Sequence, residues 1–90
     1  MNNILTIIPA YNEEKNIGRV IGEIKNHVND TDIMVINDGS KDKTGEYAKA
    51  AGAKLIDLPY NMGYGAALQT GFKYALRNNY HYVIQMKKRS

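Results

Sequence analysis

The chain has 90 residues, 43% of them hydrophobic, and no cysteine. This length allows one small domain, and the apolar fraction is too high for a disordered chain. The lack of cysteine excludes disulfides and thiolate metal sites. No apolar run approaches the about 20 residues that a membrane span needs, and residues 1–8 lack the pattern of a signal peptide. We therefore expect a cytoplasmic protein without a membrane span.

The net charge of +3 comes from the end of the chain. Lys87, Lys88 and Arg89 supply three of the twelve basic residues, and without them nine basic residues balance nine acidic ones. We interpret residues 87–90 as a solvated basic tail and residues 1–86 as the domain. The tyrosines do not alternate with basic residues as in a base-stacking surface, so we expect no nucleic-acid partner.

Apolar runs and helical patterns alternate along the chain. Residues 4–8 form a β-branched run that ends at Pro9, as in a strand buried on both faces. Apolar residues then recur at helical spacing, with Asn12 as the predicted N-cap and an end near Asn29. The predicted apolar face of this helix consists of Ile17, Val20, Ile21, Ile24 and Val28. The next predicted elements are a strand at 32–36, a helix at 41–51 that Ser40 caps, a strand at 53–58, a helix at about 65–77 and a strand at 82–86.

Two helices have predicted inner faces that the structure can test. On the second helix we expect Tyr47, Ala48 and Ala51 to face inward, and on the third Leu68, Phe72, Ala75 and Leu76. Gly71 lies inside the third helix, where glycine costs about 1 kcal/mol relative to alanine. Close packing against a strand is the expected reason for it.

The β-α-β-α-β-α-β order predicts an α/β fold with a parallel sheet and right-handed crossovers. Loops 9–13, 37–44 and 59–65 should then converge at the carboxyl edge of the sheet, where ligands bind in such folds. Asp38 ends the second strand and precedes the turn at Gly39, so it is the predicted ligand-holding residue. Alone, each loop also has a structural interpretation as a cap, a turn or a weak Gly-x-Gly. His27 and His81 have no partner at metal-ligand spacing.

Together, the motifs resemble the nucleotide-binding half of family 2 glycosyltransferases. The matching segments are IPAYNEE (8–14), VINDGSKDKT (35–44), NMGYGAAL (61–68) and the Gly71-Phe72 pair, and the likeness covers about residues 4–86. It is nearest to the branch that includes polyprenyl-phosphate and dolichyl-phosphate sugar transferases. The resemblance implies a three-layer, Rossmann-like half of a GT-A fold, with four parallel strands in the order 3-2-1-4 and three helices.

The resemblance also assigns roles in binding a UDP- or GDP-linked sugar. It implies that the first loop lines the base and ribose, that Asp38 accepts a hydrogen bond from the base, and that the turn at 61–65 closes over the nucleotide. The implied nucleotide-binding residues are Pro9, Ala10, Tyr11, Glu13, Asp38, Gly39, Asn61, Gly63 and Gly65.

The likeness breaks after the fourth strand. In the family an Asp-x-Asp motif follows this strand and holds Mg²⁺ or Mn²⁺, which offsets charge on the leaving nucleoside diphosphate. Here Lys87 and Arg89 occupy the two Asp positions, and neither side chain can ligate a metal. The half with the family's catalytic base is also absent. We therefore assign this chain no catalytic residue, no metal site and no cofactor, although full-length relatives are expected to use Mg²⁺ or Mn²⁺.

Two origins and three functions are compatible with this pattern. The chain is either a truncated or frameshifted glycosyltransferase product, which we favour, or a shortened protein retained as a module. It is a donor-binding half that is inactive alone, a nucleotide binder without catalysis, or a dimeric interaction module. Full-length relatives can be membrane-associated. In each case the fourth strand lacks the further strands and helices that follow it in relatives. We therefore expect a homo-oligomer, most simply a two-fold dimer, through that strand or the sheet face.

Overall fold

The computed structural model describes residues 2–86, so the predicted basic tail lies outside the described residues. Within this range strands and helices alternate as predicted. Each helix here is too short or too polar to cross a bilayer. The elements are β1 (Ile4–Ala10), α1 (Ile17–His27), β2 (Thr31–Asn37), α2 (Thr44–Ala50), β3 (Lys54–Asp57), α3 (Tyr64–Arg77) and β4 (Tyr82–Gln85).

The four strands form one parallel sheet in the order β3-β2-β1-β4, which confirms the predicted fold class. β1 extends beyond the predicted end and includes Pro9. The backbone of Ala10 faces β2, because its carbonyl accepts a hydrogen bond from the Asp38 N–H. Pro9 therefore faces the other side, where β4 has already ended. Its missing N–H costs the sheet no hydrogen bond.

Apolar side chains cover both faces of the sheet, which makes the fold three-layered. One face packs against α1 and α2, and the predicted apolar face of α1 is confirmed. This core contains Ile8, Ala10, Ile17, Ile21, Ile24, Ile33, Val35 and Ala48, with Val20 and Val28 partly buried beside it. The other face packs against α3 through Leu5, Ile7, Met34, Ile36, Ala67 and Ala75.

Small residues form the inner face of α3. Ala67, Gly71 and Ala75 are buried there, and a Cβ on Gly71 would lie 2.7 Å from the Ile7 Cγ2. The predicted close packing at Gly71 is therefore confirmed. The prediction for the large residues of this helix was wrong in part, because Leu76 is 80% exposed and Phe72 is also exposed. A helix that lies this close to a strand has no room for large side chains on its inner face.

The inner face of α2 also differs from the prediction. Ala48 is buried and Ala51 packs against the same core, but Tyr47 is 43% exposed. Thr44 is buried in its place, since residues four apart share a helix face.

Asp32 lies near the amino end of β2 and holds the segments that precede β1 and β4. Its carboxylate accepts hydrogen bonds from the Tyr80 hydroxyl and, at 3.0 Å, from the Asn2 side chain. Burial, followed by the bond to Asp32, raises the pKa of Tyr80 well above its usual range. The phenol therefore stays protonated and keeps donating at physiological pH.

We expect Gly22→Ala to stabilise the protein by about 0.5–1 kcal/mol, because alanine is the better helix former. Gly22 lies inside α1, and an added Cβ would meet no atom within 4 Å. Gly63→Ala is the matched control. That site is equally open, but its φ is +99°, a conformation that favours glycine, so alanine should destabilise by about 1 kcal/mol. Urea unfolding measures both variants. A Gly22→Ala protein less stable than the wild type would contradict the prediction.

Candidate functional site

Three loops meet at the carboxyl edge of the sheet, as the sequence predicts. Ala10, Asn37 and Asp57 lie side by side in the register of β1, β2 and β3. The segments that follow them, residues 11–16, 38–43 and 58–63, therefore leave the sheet at the same level. They form the candidate site.

Direct hydrogen bonds join the first and second loops. The Asn12 N–H donates to the Ser40 Oγ at 2.9 Å, and the Asn12 Oδ1 accepts from the Lys41 N–H at 2.9 Å. The Glu13 N–H donates to the Thr44 Oγ1 at 2.8 Å. Asn12 has φ +52°, which asparagine tolerates better than most residues. The two loops therefore behave as one structural unit.

These bonds overturn the predicted helix caps. Asn12 and Ser40 were expected to cap α1 and α2, but the helices begin later, at Ile17 and Thr44. Their N-cap residues are Asn16 and Lys43, whose side chains make no cap bond. Both side chains instead bind the opposite loop. Asparagine and serine favour caps because they bond backbone groups, and here those groups belong to a segment about 28 residues away.

Asp42 adds a charged link between the same loops. One carboxylate oxygen accepts from the Glu14 N–H at 3.2 Å, and the other accepts from the Thr44 N–H at 3.0 Å and from the Thr44 hydroxyl. Desolvation raises the pKa of Asp42, but these hydrogen bonds outweigh it and hold the pKa below its usual range. Asp42 is therefore an ionised acceptor at neutral pH, fully engaged in loop structure.

Asp38 binds the third loop. Its side chain is only 5% exposed, and its two oxygens accept from the Met62 N–H at 2.7 Å and from the Gly63 N–H at 3.0 Å. An ionised carboxylate has about four acceptor positions, so these two bonds leave room for a bond from a ligand. Asp38 therefore holds the segment that leads into α3, in addition to any contact with a base.

Gly39 allows the second and third loops to touch. Its φ is +72°, and a Cβ at this position would lie 2.8 Å from the Tyr60 Cα and closer still to the backbone of Asn61. Only a residue without a side chain fits between the two backbones. Gly39 and Asn61 are thus brought into contact, as expected for members of one site.

A cavity of about 120 Å³ opens beside these loops. Five predicted site residues line it, namely Pro9, Ala10, Tyr11, Glu13 and Asp38. The other predicted residues, Gly39, Asn61, Gly63 and Gly65, lie outside its lining. Gly63 is nevertheless held by Asp38 and adjoins Tyr64, which does line the cavity.

Sequence reasoning missed several wall residues of this cavity. Tyr64 lies between the two glycines of the third loop, and its hydroxyl donates to the Met86 carbonyl at 3.0 Å, which ties α3 to the end of β4. The position of Tyr64 between two glycines was the one feature of the sequence that could have indicated its place in the site. The remaining missed lining residues are Ile8, Ile17, Val20, Glu23, Ile24 and Met86. Ile17, Val20 and Ile24 had been assigned to the apolar face of the first helix from their spacing.

The site offers hydrogen-bond acceptors and apolar walls. Its charged lining residues are Glu13, Glu23 and Asp38, and Glu23 is paired with Arg19 at 2.7 Å. Among residues 2–86 no group of three or more metal-ligating side chains comes together. Lys87 and Arg89, at the positions of the family's metal ligands, lie outside the described residues. The side chains of residues 2–86 therefore do not fit a divalent cation, and we assign no metal-dependent step to them.

The chain is similar over most of its length to two curated proteins that are named as sugar transferases. The chain is 31% identical over 88 residues to the undecaprenyl-phosphate mannosyltransferase of Micrococcus luteus, covering 92% of this chain and 36% of that one. It is 40% identical over 79 residues to dolichyl-phosphate beta-glucosyltransferase ALG5A of Trichomonas vaginalis, covering 72% of this chain and 24% of that one. The chain therefore spans about a third or less of the length of these relatives.

A solved structure has the same architecture. Glucosyl-3-phosphoglycerate synthase from Mycobacterium tuberculosis, in complex with Mn²⁺, UDP and glucosyl-3-phosphoglycerate, superposes with a TM-score of 0.69 at 31% identity, over 79% of this chain and 29% of that one. The model of the family described as glycosyl transferase family 2 matches residues 6–86. The match spans β1 to β4 and all three loops of the site, and the chain belongs to glycosyl transferase family 2.

Proposed function

We propose that this chain binds the nucleoside part of a nucleotide sugar, UDP- or GDP-linked, in the cavity at the sheet edge. The observation that carries the proposal is the convergence of Pro9, Ala10, Tyr11, Glu13 and Asp38 on one cavity. Pro9 and Ala10 end β1, Tyr11 and Glu13 follow in the first loop, and Asp38 lies in the second loop. The resemblance had assigned all five to the nucleotide. Binding of UDP by the similar synthase supports the same assignment.

The charge and size of the cavity favour a base or ribose over a phosphate. Among residues 2–86, the lining carries the carboxylates of Glu13, Glu23 and Asp38 and no cationic side chain. Carboxylates accept hydrogen bonds from the N–H groups of a base and from ribose hydroxyls, but they repel phosphate. A volume of about 120 Å³ is below the about 300 Å³ of a typical complete ligand site. The diphosphate and sugar would therefore lie outside it.

We propose further that this chain does not transfer sugar alone. Residues 2–86 bring together no metal-ligating cluster, and the sequence offers Lys87 and Arg89 where the family has carboxylates. No residue here is assigned as the base that activates an acceptor hydroxyl, which glycosyl transfer requires. The function is thus donor recognition within family 2. The cytoplasmic compartment stays a prediction.

Calorimetric titration with UDP and GDP, with and without Mn²⁺, tests this function. We expect a dissociation constant of about 0.1–1 mM for one of the two nucleotides, unchanged by Mn²⁺. Tyr11→Ala should weaken binding roughly tenfold through the loss of aromatic contact with the base. Tyr47→Ala is the control, because Tyr47 is similarly exposed but lies on α2, outside the cavity lining.

Three results would overturn the proposal. Absence of binding to either nucleotide would leave the loops without a ligand role. Equal effects of Tyr11→Ala and Tyr47→Ala would place the nucleotide elsewhere. Release of sugar from a UDP- or GDP-sugar that requires Mn²⁺ would contradict the claim that this chain is inactive alone.

A further inference from the structure

Two consecutive hydrogen bonds connect Asp42, through the Thr44 hydroxyl, to the first loop. Thr44 is the first residue of α2 and is fully buried. Its hydroxyl donates to the Asp42 carboxylate and accepts from the Glu13 N–H at 2.8 Å. An ionised carboxylate can only accept, so the hydroxyl proton points to Asp42 and leaves the oxygen free to accept from Glu13. The direction of both bonds is therefore fixed.

The first loop is held on both sides of the residue that Thr44 contacts. The Glu13 carbonyl accepts from the N–H groups of Asn16 and Ile17 at 3.0 and 2.8 Å, which joins it to the start of α1. The next N–H along the chain, that of Glu14, donates to the second oxygen of Asp42 at 3.2 Å. The backbone at Glu13 and Glu14 therefore cannot move without breaking bonds to both α1 and the segment that starts α2.

This held segment forms part of the cavity wall. Tyr11, Glu13 and Ile17 line the cavity, whereas Asp42 and Thr44 lie outside its lining. Asp42 and Thr44 can therefore influence a molecule in the cavity only through the backbone of the first loop. Thr44 is suited to this because it belongs to a helix that packs on the sheet, and rigid elements position binding groups better than loops do.

We infer that Asp42 and Thr44 are positioning residues for the nucleotide, which hold the first loop in the conformation that binds it. A loop that is already ordered loses less conformational freedom on binding. A hydroxyl that donates to a charged group is also a stronger acceptor, so the Asp42 charge strengthens the bond between Thr44 and Glu13. Both roles rest on the proposed function of the cavity.

Thr44→Val tests these roles, because valine keeps the shape of threonine and removes its hydroxyl. The Glu13 N–H then loses its acceptor, and its hydrogen exchange should become about tenfold faster. We expect the Kd for UDP or GDP, whichever the wild type binds, to rise about tenfold in calorimetric titration. Because coupling is reciprocal, saturating nucleotide should slow exchange at the Glu13 and Glu14 amides of the wild type.

Two further variants separate positioning from a general structural role. Thr44→Ser keeps the hydroxyl and should restore the Kd to within about twofold of the wild type. Thr70→Val is the matched control, because the Thr70 hydroxyl also makes a hydrogen bond, to the Ala66 carbonyl within α3 at 2.9 Å, and lies outside the cavity lining. It should leave the Kd and the exchange at Glu13 unchanged.

Asp42→Ala tests the charged end of the same connection and serves if Thr44→Val does not fold. Asp42 is half-buried, so its loss opens no hole in the core. We expect a rise in Kd of about threefold to tenfold and faster exchange at the Glu14 amide.

The possible outcomes distinguish this inference from the proposed function. A wild type that binds neither UDP nor GDP would overturn both. A wild type that binds, with the same Kd in Thr44→Val and Asp42→Ala, would overturn the positioning roles and leave the proposed function standing. Weakening of binding by Thr70→Val as large as that by Thr44→Val, or a failure of Thr44→Ser to restore binding, would also overturn the positioning roles.

Discussion

Replacing Asp38 by alanine is expected to destabilise the protein by about 2–3 kcal/mol and to abolish base-selective nucleotide binding. The carboxylate accepts hydrogen bonds from the Met62 and Gly63 N–H groups at 2.7 and 3.0 Å. Bonds to a charged acceptor contribute about 1.5–3 kcal/mol each. The expected loss is smaller than the sum of two such bonds, about 3–6 kcal/mol, because Met62 is exposed and water can replace part of the loss.

Two effects of Asp38→Ala can be separated experimentally. Urea unfolding reports the loss of stability, and hydrogen exchange at the Met62 and Gly63 amides reports release of the third loop. Titration with UDP and GDP reports selectivity. Faster exchange with unchanged selectivity would make Asp38 a positioning residue only. Unchanged stability and exchange would show that the two hydrogen bonds do not hold the loop.

Asp57→Ala is the matched control for this variant. Asp57 also ends a strand at the same sheet edge, and its carboxylate accepts one hydrogen bond from the Asn37 side chain at 2.9 Å. It is exposed and does not line the cavity. We expect a cost below about 1 kcal/mol and no change in nucleotide selectivity. An Asp57→Ala effect as large as that of Asp38→Ala would indicate a general loss of negative charge at the edge.

The strands and the inner face of α1 could be predicted from the sequence because their signals are local, whereas the strand order came from the resemblance to family 2 glycosyltransferases. A β-branched run such as residues 4–8 and the helical spacing from Ile17 to Val28 each carry their own period. Gly71 was predicted as a close contact for an equally local reason, since glycine inside a helix needs compensation. The site was predictable as a set of loops because parallel strands end at one edge.

The contacts between the loops could not be predicted in the same way. Asn12 and Ser40 satisfy the local pattern of helix caps, and only the folded chain shows that they bond each other's loop. Tyr47 and Leu76 satisfy helical periodicity, yet the close approach of small residues decides which face turns inward. Asp38 was recognised as a site residue, but its partners lie 24 and 25 residues further along the chain. Long-range partners of this kind leave no local signal.

Gly39→Ala is expected to have an effect as large as that of Asp38→Ala, with a different cause. Gly39 has φ +72°, where an alanine is strained, and the added Cβ would collide with the backbone of Tyr60 and Asn61. Backbone cannot yield by changing a rotamer, so the second and third loops would have to separate. Strain costs about 1–3 kcal/mol and overpacking a similar amount. We expect a loss of about 3 kcal/mol or more in urea unfolding.

Gly65→Ala separates this collision from a general sensitivity of the glycine-rich loops. Gly65 lies in the first turn of α3, and an added Cβ there would meet no atom within 4 Å. Its stability should stay within about 0.5 kcal/mol of the wild type or rise slightly. Because Asp38 can reach the Met62 and Gly63 amides only while the loops touch, Gly39→Ala should also speed hydrogen exchange at those amides. Rapid exchange in Gly39→Ala with slow exchange in Gly65→Ala would show that contact between the two loops, and not the glycine content of the third loop, keeps Asp38 in place. Slow exchange in both variants would contradict this dependence of Asp38 on Gly39.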